Sequence, residues 1–353
     1  MAPRKPQALA AIQILPRRDI SEFRTWAAEH DVAWAAGLLP AVITMAVDQV
    51  DTVLVEIRNH SNALLNGDLT LSLPDSWDQG PVSKPYTIPA RSTAMMPYLV
   101  SVPSAAGSGR FEIAASTKIE GDVIVDQGEI LTVPRTTVKR VSNPVSVDGR
   151  LDEWNGSERI LIPSRNIWSG QLPGGDKDCS ALAQVQYDSA YLYFAVEVSD
   201  DRVVMNIPPD DVKAPWRSDA VEICIDPSGQ GAESTLSVFK AGIFPGTTSG
   251  PGARAMRDAD ARPGMIEQTA PGMRVASTLT DVGYTIEAAI AWEDVPGGQS
   301  PAPGTVMGLN IIVYDGDETD AGNGANIGKA RIGWSPHRNS QVLPYHYGRA
   351  VIK

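Results

Sequence analysis

ALAQVQYDSAYLYFAVEVSDD, residues 181–201, is the stretch that decides the fold. It reads as a hairpin of two alternating runs, because successive side chains of a strand point to opposite faces. In the second run Leu192, Phe194, Val196 and Val198 point one way, while Tyr191, Tyr193 and Glu197 point the other. One apolar face per strand implies a sheet packed on a second layer.

The same period recurs on both sides. In APWRSDAVEICID (214–226), Trp216 and Asp219 precede a strand whose Val221, Ile223 and Ile225 face inward, so Glu222 points to the opposite face. GYTIEAAIAWEDV (283–295) sends Tyr284, Ile286, Ala288 and Ile290 one way and Glu287 the other. PVSVDGRLDEW (144–154) opens this domain, and GTVMGLNIIVYDGDETD (304–320) and RIGWSPHRNSQVLPYHYGRAVI (331–352) close it. Trp154, Trp292 and Trp334 are expected in the core. The Gly- and Pro-rich stretch 242–264 lacks apolar periodicity and is expected to be a long surface excursion.

Upstream, VITMAVD, TVLVEIRN, DLTLSL, TAMMPYLVSV and RFEIAAST are short β-branched runs separated by Asn, Asp, Gly, Pro and Ser. Their spacing suits an antiparallel immunoglobulin-like sandwich over 41–135. VEIRNHSN, LTLSLPDSW and YTIPARSTAMMPYLVSVP resemble Ig-like accessory domains of bacterial sugar-active enzymes. Residues 136–143 are expected to be a linker to the domain over 144–353. Residues 1–40 read differently: Ile20–Leu39 is Ala-rich with aromatics at helical spacing, and Pro40 closes it. The fold class expected is therefore all-β, two sandwiches after a short N-terminal helix, the second sandwich jelly-roll-like.

Totals exclude several classes. The chain has 353 residues, enough for two cores, and 30 basic against 42 acidic residues give a net charge of −12. That field repels phosphate backbones, so nucleic acid is not an expected partner. No apolar run reaches the ~18 residues of a membrane span. LAAIQIL near the start is too short for a secretory signal, and an Arg pair follows it. The chain is read as a piece of a longer polypeptide whose export signal lies elsewhere. Cys179 and Cys224 form no CxxC, and a bridge between them is one option. His30, His60, His337 and His346 are scattered and make no zinc pattern. No GxSxG elbow, P-loop, GxGxxG or focused carboxylate pair supports catalysis. YDGDETDAGN (314–323) and VSDD (198–201) gather oxygen ligands suited to calcium, without EF-hand spacing.

The order of the motifs over 144–353 resembles that of family 9 carbohydrate-binding modules, within the wider DOMON-type group. The resemblance implies a non-catalytic domain that holds oligosaccharides or polysaccharides, outside the cell or on its surface, joined to a catalytic module. It implies a structural calcium ion in some members. It also implies a site: an aromatic clamp on a sugar ring, with carboxylates and amides around its edge. Trp216 matches the first clamp position, Glu222 and Asp315 match edge carboxylates, and Asn339 lies in the matching edge segment. Three positions depart from the pattern: Gln341 stands where the second clamp aromatic is expected, Ile312 where Gln is expected, and Ser237 near the expected Arg. Tyr345 is the candidate replacement aromatic, Tyr347 matching a buried one. Two other readings are a sandwich that has lost its ligand and a haem domain ligated by Met205 and His346.

Overall fold

Alternating side chains build an almost entirely β molecule. The computed structural model describes residues 9–15, 23, 25–27, 29–32, 34–35, 41–229, 231, 238–257, 270–328 and 330–353. They belong to two compact units, Met1–Val133 and Pro134–Lys353.

In the first unit, β1 (Ala10–Ile14), β3 (Gln49–Asn59) and β6 (Thr93–Val102) form one sheet. The other runs in the order β2 (Ala41–Ala46), β8 (Asp122–Val133), β7 (Gly109–Ile119), β4 (Leu65–Ser72) and β5 (Val82–Ile88). Val53, Val55 and Ile57 of β3 and Leu69 and Leu71 of β4 point into the core around Trp77. The RNHSN strand end closes on Asn59, whose buried carboxamide donates to the carbonyls of Ala63, Ile88 and Pro89. Pairing is antiparallel except for β2 on β8. The expectation for residues 1–40 needs correcting. Ala10, Ile12 and Ile14 alternate and are buried, so this segment pairs with β3 as a strand. Described helical residues lie only between Phe23 and Glu29, and the rest of the expected helix lies outside the described residues or in a short turn.

The second unit is a two-layer sandwich. Its strands are β9 (Arg135–Arg140), β10 (Ile160–Ile162), β11 (Ile167–Ser169), β12 (Cys179–Tyr187), β13 (Tyr191–Asp200), β14 (Ala220–Asp226), β15 (Phe239–Thr247), β16 (Gly250–Arg257), β17 (Arg274–Thr280), β18 (Gly283–Ala291), β19 (Val306–Asp315), β20 (Ala330–Gly333) and β21 (Gly348–Ile352). One layer runs β16-β15-β14-β19-β21, with β20 on β19 and β11 on β20. The other runs β12-β13-β18-β17, with β10 on β12. Val221, Ile223 and Ile225 meet Leu192, Phe194, Val196, Ile286 and Ile290 in the shared core, with Trp292 and Trp334. Trp154 packs in a smaller cluster on the outer side of β13 and β18.

Two expectations change here. Residues 136–140 of the expected linker are strand: Thr136 and Val138 are buried, and β9 pairs in parallel with both β21 and β12. Residues 242–257 are not an excursion but most of the β15–β16 hairpin, and 258–264 lie outside the described residues. Every residue of β15 is buried, so its Gly and Pro mark close approaches between backbones. Cys179 and Cys224 are not bridged to each other: one lies in the shared core and the other on the far side of β14.

Candidate functional site

Strand alternation gives β14 a second face, away from the shared core. Ala220 and Cys224 lie there with Phe244 of β15, Ile312 and Tyr314 of β19, and Tyr347, and Trp168 and Trp216 pack on them. Glu222 falls in the middle of this face, as its parity requires. It is not a solvated strand carboxylate, however: both faces of β14 are covered and Glu222 is fully buried. Its Oε2 accepts a 2.6 Å hydrogen bond from the Tyr314 hydroxyl, and Lys240 Nζ lies 3.2 Å from Oε1. Burial, and then the neighbouring carboxylate, push the Tyr314 phenol well up, so it remains a donor.

Lys240 was not foreseen as a site residue. The cation was expected near Leu236–Val238, and Ser237 lies outside the described residues. The signal was the parity of VFKAGIF: Phe239, Ala241 and Ile243 enter the shared core, which turns Lys240 to the side of Glu222.

Trp216 sits above this face on a short turn, Pro215–Arg217. Glycines make the close seating possible. A Cβ on Gly242 would lie 2.4 Å from Pro215 Cγ, and one on Gly328 would lie 2.7 Å from the Trp216 carbonyl oxygen. Gly328 N–H donates to that same carbonyl. The indole remains half-buried.

The other expected residues fall elsewhere. Asp315 follows Tyr314 in β19 and therefore points to the opposite side, so Glu222 and Asp315 do not share a site. Asn339 is exposed at φ +62°, where it makes a turn and its carbonyl accepts from the Val342 and Leu343 amides. Tyr345 is half-buried in the turn Pro344–His346, edge-on to His346 at 4.4 Å and close against Gly231. Gln341 is half-buried, and Ile312 is buried directly across from Glu222. Met205 lies against Gly246, while His346 packs beside His337.

Asp315 enters a second constellation. Carboxylate oxygens of Asp200, Asp219 and Asp315 lie within 4.8 Å of one another, as do those of Asp178, Asp315 and Asp317. Desolvation and the neighbouring aspartates raise Asp315 to about 8. Asp200 is pushed up to about 6, chiefly by burial. Asp219 is raised well above the carboxylate range for the same reason. Backbone amides of Val204 and Gly316 donate to Asp219, and that of Gly174 donates to Asp178 Oδ2. Asp178 Oδ1 is buried with no hydrogen-bond partner among the described residues. Spacing below about 5 Å suits oxygens converging on one hard cation at 2.3–2.6 Å. Asp178 and Asp219 come from outside the two acidic stretches singled out in the sequence.

Comparison with known proteins places this unit. The family model for carbohydrate family 9 binding domain-like sequences matches residues 147–353, and the chain belongs to that family. Endo-1,4-beta-xylanase A of Thermotoga maritima is 32% identical over 207 residues, covering 57% of this chain and 16% of that protein. The enzyme of the same name from Thermoanaerobacterium saccharolyticum is 27% identical over 173 residues, 49% of this chain and 12% of that protein. The chain thus spans about a sixth or less of the length of these relatives. A solved family 9 module of Caldicellulosiruptor kristjanssonii in complex with cellotriose is 22% identical, with a TM-score of 0.46, over 62% of this chain and 93% of that one. Residues 147–353 are accordingly a carbohydrate-binding module of family 9, and the first unit lies outside the match. Among the described residues no helix is long and apolar enough to cross a membrane.

Proposed function

We propose that the chain is a non-catalytic sugar-binding protein that holds a saccharide on the second face of the C-terminal sandwich, with Trp216 as its aromatic platform. The observation that carries this reading is the Glu222–Lys240 pair, fully buried beneath that face and completed by the Tyr314 hydroxyl. Burying two charges costs several kcal/mol per ion before their attraction is counted, and an apolar pair would serve the fold at least as well. A carboxylate and an ammonium beside an indole are the groups that select sugar hydroxyls and stack on a pyranose face. The xylanase relatives support an accessory role beside a polysaccharide-active catalytic module, outside the cell or on its surface. Asp178, Asp200, Asp219, Asp315 and Asp317 would hold calcium as a structural ion that fixes the ends of β13 and β19.

Titrating soluble oligosaccharides against the wild-type chain, Trp216→Ala and Glu222→Gln tests the reading. Loss of the aromatic platform should weaken binding by ~1–3 kcal/mol, roughly ten- to a hundredfold. A sugar held equally well by Trp216→Ala would move the site elsewhere. If the wild type holds none, the sandwich that has lost its ligand is the correct reading.

A further inference from the structure

One cation on this face has no counter-charge among the described residues. Arg331 of β20 is half-buried, and its guanidinium carbon lies 5.5 Å from the Trp168 ring centroid and 5.3 Å from that of Tyr314. Its Nε is buried, and it makes no hydrogen bond or ion pair with any described residue. The chain carries 42 acidic residues against 30 basic ones, so an unpaired half-buried cation is not for want of carboxylates.

Register places Arg331 within the site. It is the cross-strand partner of Tyr314, which is the partner of Ala220 two residues before Glu222. The Arg331 backbone therefore stands two strand spacings, about 10 Å, from β14, and its side chain is on the face that carries Glu222. Trp168 of β11 borders the same row: a Cβ on Gly333 would lie 3.5 Å from its Nε1, and Gly333 pairs with Ile312 opposite Glu222. Two aromatic rings neighbour the guanidinium, whose N–H groups are donors lying in its own plane. The edge of that plane matches the two oxygens of a carboxylate, whereas a hydroxyl meets it at one point.

We propose that Arg331, braced by Trp168 and Tyr314, is a specificity-determining residue that selects a carboxylate-bearing sugar, a uronic acid, at this place on the face. The proposal rests on the sugar-binding reading above and names the class of sugar. Glucose and glucuronate are the probes, since they differ only in a hydroxymethyl or a carboxylate at C6. Calorimetric titration of the full chain at fixed ionic strength should show glucuronate binding about tenfold more tightly, a preference that shrinks as salt is raised. Arg331→Gln should abolish the preference and leave glucose affinity within about threefold, while Arg331→Lys retains part of it. Glucose binding without any preference for glucuronate in the wild type overturns the proposal, and needs no variant that might fold poorly. An equal loss for both sugars in Arg331→Gln overturns it too, by making Arg331 a structural brace. Binding of neither sugar removes the sugar-binding reading and this inference with it.

Discussion

Lys240 Nζ lies 3.2 Å from Glu222 Oε1, and neither side chain has any exposure to solvent. Each ion is tolerated only because the other is present. Lys240→Met alone should therefore cost about 3–5 kcal/mol in denaturant unfolding, by leaving the carboxylate uncompensated. The double change Lys240→Met with Glu222→Leu should recover most of that loss. A single variant as stable as wild type would contradict the pairing.

Calcium should stabilise the second unit. Ligand at a hundred times its dissociation constant contributes about 2.7 kcal/mol, which for a domain of this size is a rise of roughly 5–10 °C in Tm. Calorimetry with calcium against a chelator measures it. Asp219→Asn, at a position shared with two backbone donors, should remove the response. An unchanged Tm in wild type would rule the ion out.

Without the ion, the aspartate cluster makes stability depend on pH in an unusual direction. Asp315 is raised to about 8, against about 3.9 in an unfolded chain. A carboxyl raised by folding favours the protonated native state, so its contribution is fully present below about pH 4 and is lost as pH rises towards 8. Asp200, raised to about 6, adds the same sign over the lower part of that range. In chelator, Tm should fall from pH 5 to pH 8; in calcium, the fall should be absent. A chelated protein more stable at pH 8 than at pH 5 would exclude this account.

Glu287 ties the opening segment of the second unit to β18. It accepts from Trp154 Nε1 at 2.7 Å and from the amides of Asp148 and Gly149 at 2.9 and 2.8 Å. Glu287→Ala leaves these donors unmatched and should cost about 3 kcal/mol, or roughly 6–12 °C in Tm. Glu287→Gln should cost less, since its amide keeps one acceptor oxygen.

Deleting residues 242–264 should prevent folding, because Ile243 and Ala255 lie in the shared core and Phe244 in the second-face cluster. Circular dichroism and a proteolysis time course would show it; a deletion variant with native Tm would not fit the hairpin.

The sandwich and its family were legible because a period of two survives wherever one face meets a core. That rule put Glu222 on the correct face, and the same rule, applied to VFKAGIF, would have put Lys240 beside it. Parity gives direction but not coverage: nothing local in AVEICID says that Trp216, Tyr347 and Phe244 close over the second face and turn a solvated carboxylate into a buried one. Asp315 does not join Glu222 for a related reason, since its neighbour Tyr314 occupies the Glu222 side. The aspartate cluster joins Asp178, Asp219 and Asp315 across long sequence separations, beyond any linear spacing rule. In β15, Gly and Pro read as loop signals, although there Gly242 and Gly246 permit Pro215 and Met205 to approach the backbone.

β9 gives the module a seam at its beginning. The match to the family starts at residue 147, yet Arg135–Arg140 lies in register along both the last strand and the first long one. A gene fragment cut at the family boundary would encode two layers whose meeting edges have lost the strip between them, with the amides and carbonyls of β21 and β12 left unmatched on that side. Exchange of this module between proteins by recombination would therefore succeed only at breakpoints that carry Pro134–Arg140 along. The folded unit is longer than the matched one.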